Sequence, residues 1–203
     1  MSLAIENIID IMDYEGEEEL ELILSEFISQ KNDEIETFLK DKAIEFAKKK
    51  LSITYLVTDS ENGKLLGYFT LAHKVLEVPA LGLSSTVRRK MSRYSTLDNR
   101  NESYMISAFL LAQFGKNFNE EKERRVSGAE LMDCVDEVLK RIQHQIGGAV
   151  VYLDCEDKEK LIEFYENTAG YKQISERISE RDHIRYLQFK NLFSGLNYSW
   201  IHY

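Results

Sequence analysis

The stretch MISAFLLAQFGKNFNEEKERRVSGAELMDCVDEVLKRIQHQI, residues 105–146, decides how the chain is read. Its first ten residues, Met105 to Phe114, form an apolar run suited to a central strand. After a polar connection from Gly115 to Val126, the residues Leu131, Met132, Val135, Val138, Leu139, Ile142 and Ile146 fall on one helical stripe. Ser127 is placed to cap this helix, and Gly147 with Gly148 to stop it. Strand, loop and helix make a βα unit. The N-terminus of such a helix offers unpaired backbone N–H groups and the positive end of the helix dipole, a setting for a pyrophosphate. Lys122, Arg124 and Arg125 can add charge-assisted contacts to phosphate oxygens. A solvated basic loop before a Ser-capped helix is the plainer alternative.

Working outward, Ala149 to Asp154 reads as a buried strand and Asp157 to Ala169 as a helix ending at Gly170. Tyr171–Ser175 and Ile184–Phe189 supply two late strands. On the N-terminal side, Ile53–Thr58 and Leu65–His73 form a hairpin around the turn Asp59–Gly63. Ile35, Phe38, Leu39, Ala43, Phe46 and Ala47 predict a helix over 32–50, capped by Asn32 or Asp33, and Glu17–Ser29 a shorter amphipathic one. Between hairpin and central strand, Val78–Ser103 is polar and basic and holds the one proline, Pro79; it is longer than a structural loop needs. This order of elements is solved naturally by a mixed α/β sheet.

The 203 residues suffice for one domain, or one domain with an arm. No run approaches the roughly 20 apolar residues of a membrane span. Met1 to Tyr14 lacks a basic region and carries Glu6, Asp10 and Asp13, unlike a secretory signal. Cys134 and Cys155 are too few for a disulfide framework, and no Cys or His pair has zinc-ligand spacing. A cytoplasmic, metal-free protein is expected. The net charge of −9 is segregated: residues 1–30 hold nine acids and no base, and beyond them 26 acids balance 26 bases. The expected division is an acidic N-terminal helical arm, 1–30, and a domain, 31–203.

Two motifs carry a family likeness. Phe164-Tyr-Glu-Asn-Thr-Ala-Gly-Tyr171, after a buried strand and a charged turn, and Arg125-Val-Ser-Gly128-Ala-Glu130 resemble the C-terminal half of the GNAT acetyltransferases. The resemblance implies a mixed, centrally splayed sheet flanked by helices, with acetyl-CoA as co-substrate. It places the CoA contacts on Leu111, Ala112, Gln113 and Phe114 of the central strand, and on Arg124, Arg125, Val126, Ser127, Gly128 and Ala129 of the loop. It makes Tyr165 the proton donor to the departing CoA thiolate. Glu130 stands where the family has Gly or Ala, a carboxylate expected to crowd the helix–strand contact or repel phosphate. Asn32–Leu39, Thr54–Val57, Gly67–Leu71 and Leu111–Phe114 resemble the toxins of bacterial GNAT toxin–antitoxin pairs. That likeness implies aminoacyl-tRNA as acceptor, translation arrest, an antitoxin partner and a homodimer. A GNAT enzyme acting on a small amine or a protein amine, and a non-catalytic binding module, are the alternatives.

Acetyl transfer needs an oxyanion site, for which backbone N–H groups near the end of Leu111–Phe114 are available, and a proton for the thiolate. A phenol with a pKa of about 10 stays protonated at neutral pH, so Tyr165 qualifies; the bland reading is a core aromatic one turn beyond Leu161. No general base stands out among Glu102, Asp98 and His73, and an α-amino group with a pKa of about 8 is partly neutral without one. Cys155, with no His or Asn partner at an interpretable spacing, reads as a small buried residue. Residues 86–100 hold Arg88, Arg89, Lys90, Arg93 and Arg100 against Asp98, a local charge of +4 beside Tyr94. Arg88, Arg89 and Arg93 are the candidates for an RNA backbone; a solvated loop, or a dock for the acidic arm, would look the same.

Overall fold

The computed structural model describes residues 2–30, 32–119, 125–148, 150–178 and 185–192. Its contacts divide the chain into two units, residues 1–72 with 111–145 and residues 73–110 with 146–203.

The first unit begins with a strand that sequence analysis does not find. β1 (Leu3–Asn7) pairs antiparallel with β2 (Ile53–Asp59), from Leu3↔Asp59 to Asn7↔Tyr55. The Asn7 carboxamide then accepts from Ile9 N–H at 2.9 Å and caps α1 (Ile8–Glu15). Gly16, at φ 94°, reverses the chain into α2 (Glu17–Ser25). Residues 1–30 are therefore no separate arm. Ile8, Ile11, Leu20, Leu24 and Phe27 are buried in one cluster with Leu39, Leu56 and Tyr68, while the acids occupy the outer faces. The helix expected over 32–50 is two, α3 (Asp33–Asp41) and α4 (Ala43–Lys48), parted at Lys42 where φ is −127°. Of the two candidate caps, Asn32 is the one used, accepting from Glu34 N–H at 2.9 Å.

The hairpin is as expected. β2 pairs with β3 (Leu65–Pro79) through Thr54↔Thr70, whose hydroxyls bond at 2.8 Å in the interior. Asp59 closes the turn by accepting from Glu61 N–H and the Asn62 carboxamide. β5 (Ser103–Lys116) follows β3 in the sheet. A Cβ on Gly67 of β3 would lie 2.9 Å from the Gly115 carbonyl oxygen and 3.3 Å from both δ-carbons of Leu131. Gly67→Ala should accordingly destabilise the protein by about 1–3 kcal/mol, because backbone cannot step aside as a side chain can. Urea unfolding checks this, and an unchanged midpoint would show that the contact is looser than described.

In the second unit the order is β5, β6 (Val150–Glu156), β8 (Arg185–Leu192) and β7 (Lys172–Ile178), with β4 (Leu97–Asp98) also on β5. β5 and β6 run parallel, whereas the β6–β8 and β7–β8 pairs are antiparallel. The parallel register covers Phe109↔Val151 and Leu110↔Tyr152. The basic segment 78–103 is more than a loop: Ser84 caps α5 (Ser85–Met91), and Met91 is buried with Leu76, Ile106 and Tyr152. No described helix is long and apolar enough to cross a membrane.

Candidate functional site

In the first unit, β5 leads into a loop and then α6 (Gly128–Ile146). Leu111 is buried, and Ala112, Gln113 and Phe114 are half-buried. The strand's exit is fixed by Asn117, 3 % exposed, a residue the sequence reading passes over. Its carboxamide oxygen accepts from Ile28 and Asn119 N–H at 2.9 and 3.0 Å, and its nitrogen donates to Leu65 O at 2.8 Å. Phe118, next in line, holds Arg125. The guanidinium donates to Phe118 O at 3.1 Å and lies 5.1 Å from the ring centre, a cation–π contact. Arg125 is thus pre-oriented rather than free in solvent. Arg124 and Lys122 lie outside the described residues.

Val126 is buried, and Ser127 and Ala129 are exposed with Gly128 half-buried between them. Ser127 caps α6 as expected, its hydroxyl accepting from Glu130 N–H at 3.1 Å. The Glu130 carboxylate returns the contact, accepting from Ser127 N–H at 2.8 Å. The pair is a capping box. Ser127's hydroxyl and amide hold the Glu130 carboxyl below the usual carboxylate range. Glu130 is exposed and does not crowd the helix–strand contact, which is made by Leu131 against Gly67. An α-helix provides no acceptor for its first N–H groups, here those of Gly128 and Ala129. An anion is already seated at this helix N-terminus, and it is the protein's own.

In the second unit, α7 (Glu159–Glu163) widens into a π-helical turn, Phe164–Thr168, closed by Ala169 N–H to Phe164 O at 3.0 Å. A plain helix over 157–169 was expected. The wider turn carries Tyr165, 8 % exposed, with ring centres of Phe164 at 5.1 Å and Tyr171 at 6.0 Å. Burial, and secondarily Cys155, pushes the Tyr165 phenol well above its ordinary value. The phenol therefore keeps its proton through the physiological range. Burial, with Asp154, Asp157 and Glu156 adding, pushes the Cys155 thiol up to about 12, which removes it as a nucleophile.

The candidate bases are scattered. Asp98 is occupied in a turn, accepting from Arg100 N–H and the Asn101 carboxamide. Glu102 is an exposed turn residue at φ 51°. His73 Nε2 lies 2.7 Å from Ser107 Oγ, with its ring 5.6 Å from Phe109. In the basic segment, Arg89 and Arg93 are exposed on or just after α5. Arg88 has other work: its guanidinium donates to Ala80 O at 2.8 Å and Leu83 O at 3.2 Å. Among the described residues, no group of three His, Cys, Asp or Glu is gathered for a metal.

No family model and no curated protein matches the sequence. The likeness is in the fold. AtaT in complex with acetyl-methionyl-tRNAfMet matches with a TM-score of 0.61 at 17% identity, covering 91% of this chain and 94% of its own. A tyrosine-to-phenylalanine mutant of KacT matches at 0.60 and 19% identity, over 92% and 94%. A protein from Desulfovibrio desulfuricans assigned to the GNAT family of acetyltransferases matches at 0.53 and 12% identity, over 94% and 99%. A tyrosine-to-phenylalanine mutant of AtaT, bound to acetyl-CoA and the C-terminus of its antitoxin AtaR, matches at 0.54 and 16% identity, over 92% of both chains. The chain has the GNAT fold, similar to that of these toxins.

Proposed function

We propose that the protein is an N-acetyltransferase that moves the acetyl group of acetyl-CoA to a primary amine, with aminoacyl-tRNA as the acceptor. The observation that carries this reading is the start of α6, where Ser127 N–H already holds a carboxylate at 2.8 Å on the loop that follows the central strand. The same amide, with those of Gly128 and Ala129, suits the CoA pyrophosphate once Glu130 turns away. Arg125, oriented by Phe118, adds charge-assisted contacts. Leu111 to Phe114 line the pantetheine with backbone and offer N–H groups to the developing oxyanion.

The chemistry is a displacement. The neutral amine attacks the thioester carbonyl, and the tetrahedral intermediate collapses with rupture of the C–S bond. The departing thiolate takes the Tyr165 proton, which solvent later restores, and the acetylated nitrogen sheds its own proton to solvent. AtaT's complexes with an acetylated tRNA and with AtaR support the choice of acceptor and an antitoxin partner here. A dimer of this chain is part of the same reading.

Arg125→Ala should raise KM for acetyl-CoA by about ten- to a hundredfold, the weight of a hydrogen bond to a charged group, with little change in kcat. Glu130→Gly should tighten acetyl-CoA while lowering Tm, since it removes both the competing carboxylate and the capping box. Titration calorimetry tests both. No heat with acetyl-CoA for either form would remove the cofactor assignment. It would leave the non-catalytic module as the reading.

A further inference from the structure

Two cations meet on one aromatic ring in the first unit. Lys116 Nζ lies 5.8 Å, and the Arg125 guanidinium 5.1 Å, from the centre of the Phe118 ring. The ring is built into place. Phe118 N–H donates to Ile28 O at 2.9 Å, and its carbonyl accepts from Arg125 at 3.1 Å. Asn117 beside it accepts from Ile28 N–H at 2.9 Å, so the backbone that carries the ring is tied on both sides. Lys116 is the last residue of β5, two positions after Phe114, and is half-buried, as Phe118 is. Among the described residues no carboxylate pairs with Lys116.

Two like charges drawn to one place repel each other. In a chain of net charge −9, carboxylates to neutralise them are abundant. At Lys116 the attraction comes instead from the ring, whose quadrupole presents a negative face to a cation. An aromatic ring attracts a cation without neutralising it. The ammonium keeps its full charge and its donors for an anion that arrives later. The place in the chain selects a phosphate. Lys116 follows Leu111–Phe114, the residues read above as the pantetheine contacts, and precedes Ser127–Ala129, read as the pyrophosphate contacts. All of these residues belong to the first unit.

We infer that Lys116 is a phosphate-binding residue for CoA, and that Phe118 is the positioning residue that gathers it with Arg125 before the ligand arrives. This rests on the acetyl-transfer reading above. It adds a second cation to the one which that reading uses, and it gives the Phe118 ring a role distinct from packing.

The test titrates the full chain with acetyl-CoA and with S-acetylpantetheine, which carries no phosphate, and follows binding by calorimetry. Lys116→Met should weaken acetyl-CoA by about tenfold, the lower end for a hydrogen bond to a charged group, and leave S-acetylpantetheine unchanged. The difference should shrink as salt rises, because charges open to solvent are screened. Phe118→Leu should weaken acetyl-CoA by about two- to fivefold, the weight of an exposed cation–π contact, and Phe118→Tyr should keep the wild-type affinity. In a chain that already carries Lys116→Met and Arg125→Ala, Phe118→Leu should change nothing further. Steady-state kinetics should show the same factors in KM and little change in kcat. If Lys116→Met binds acetyl-CoA like the wild type, or loses S-acetylpantetheine equally, the phosphate contact is overturned while the acetyl-CoA reading stands. If Phe118→Leu has the same effect with and without the two cations, the ring only packs, and its positioning role is overturned. A wild-type chain that gives no heat with acetyl-CoA fails the acetyl-transfer reading itself, and this inference with it.

Discussion

Tyr165→Phe is expected to fold normally, bind acetyl-CoA as before, and lose acetyl transfer by about 10²–10⁴ in kcat. The substitution deletes one oxygen from a ring that keeps its edge contacts with Phe164 and Tyr171. Thermal melts should therefore shift little, and KM for acetyl-CoA should hold, because the phenol acts on the sulfur only as the C–S bond breaks. The pH profile gives a second check. Burial raises the Tyr165 pKa above the ordinary 10.0, so the wild-type rate should show no falling alkaline limb from this group below that pH. A wild-type kcat in the Phe variant would remove Tyr165 from the mechanism and return it to the core aromatics.

Reversing Arg89 and Arg93 to Glu should abolish acetylation of aminoacyl-tRNA while leaving acetyl-CoA binding and the turnover of a free amine unchanged. Both side chains are exposed, on or just after α5. Arg88 is left out of this test because it grips Ala80 O and Leu83 O, and its loss would disturb the loop as well as the charge. If each of the two arginines contacts one phosphate, the slope of log K against log salt should shrink by about 1.4–1.8, from 0.7–0.9 per contact. A variant that still acetylates aminoacyl-tRNA at the wild-type rate sinks the basic helix as the RNA surface. Efficient acetylation of a polyamine or peptide, with no aminoacyl-tRNA turned over at all, sinks the tRNA acceptor itself.

The sequence by itself determined the elements whose cause is local. The stripe Leu131 to Ile146, with Ser127 before it and Gly147 after it, could only be a capped amphipathic helix, and it is. The hairpin around Asp59–Gly63 was legible for the same reason: turn chemistry and a change of period are written in neighbouring residues. Tyr165 was found through its motif, and its burial agrees with both the catalytic and the bland role. What escaped depends on partners far along the chain. β1 is a strand because Leu3–Asn7 meets β2 some fifty residues later, and five residues carry no period strong enough to announce that. The acids of residues 1–30 drew the eye to an arm, although Leu20, Leu24 and Phe27, alternating with them, enter the core. The break at Lys42, the helix hidden in 78–103 and the π turn at Phe164 were likewise settled by packing. Three functional details were decided by tertiary structure alone. Glu130 seats its carboxylate on Ser127, Arg88 donates to the carbonyls of Ala80 and Leu83, and Asn117 ties Ile28 and Leu65 to the end of the central strand. A hydrogen bond is directional and short, so a polar residue's partner is known only when the backbone has brought the two together, whereas an apolar stripe needs only a nonspecific neighbour and shows itself in advance.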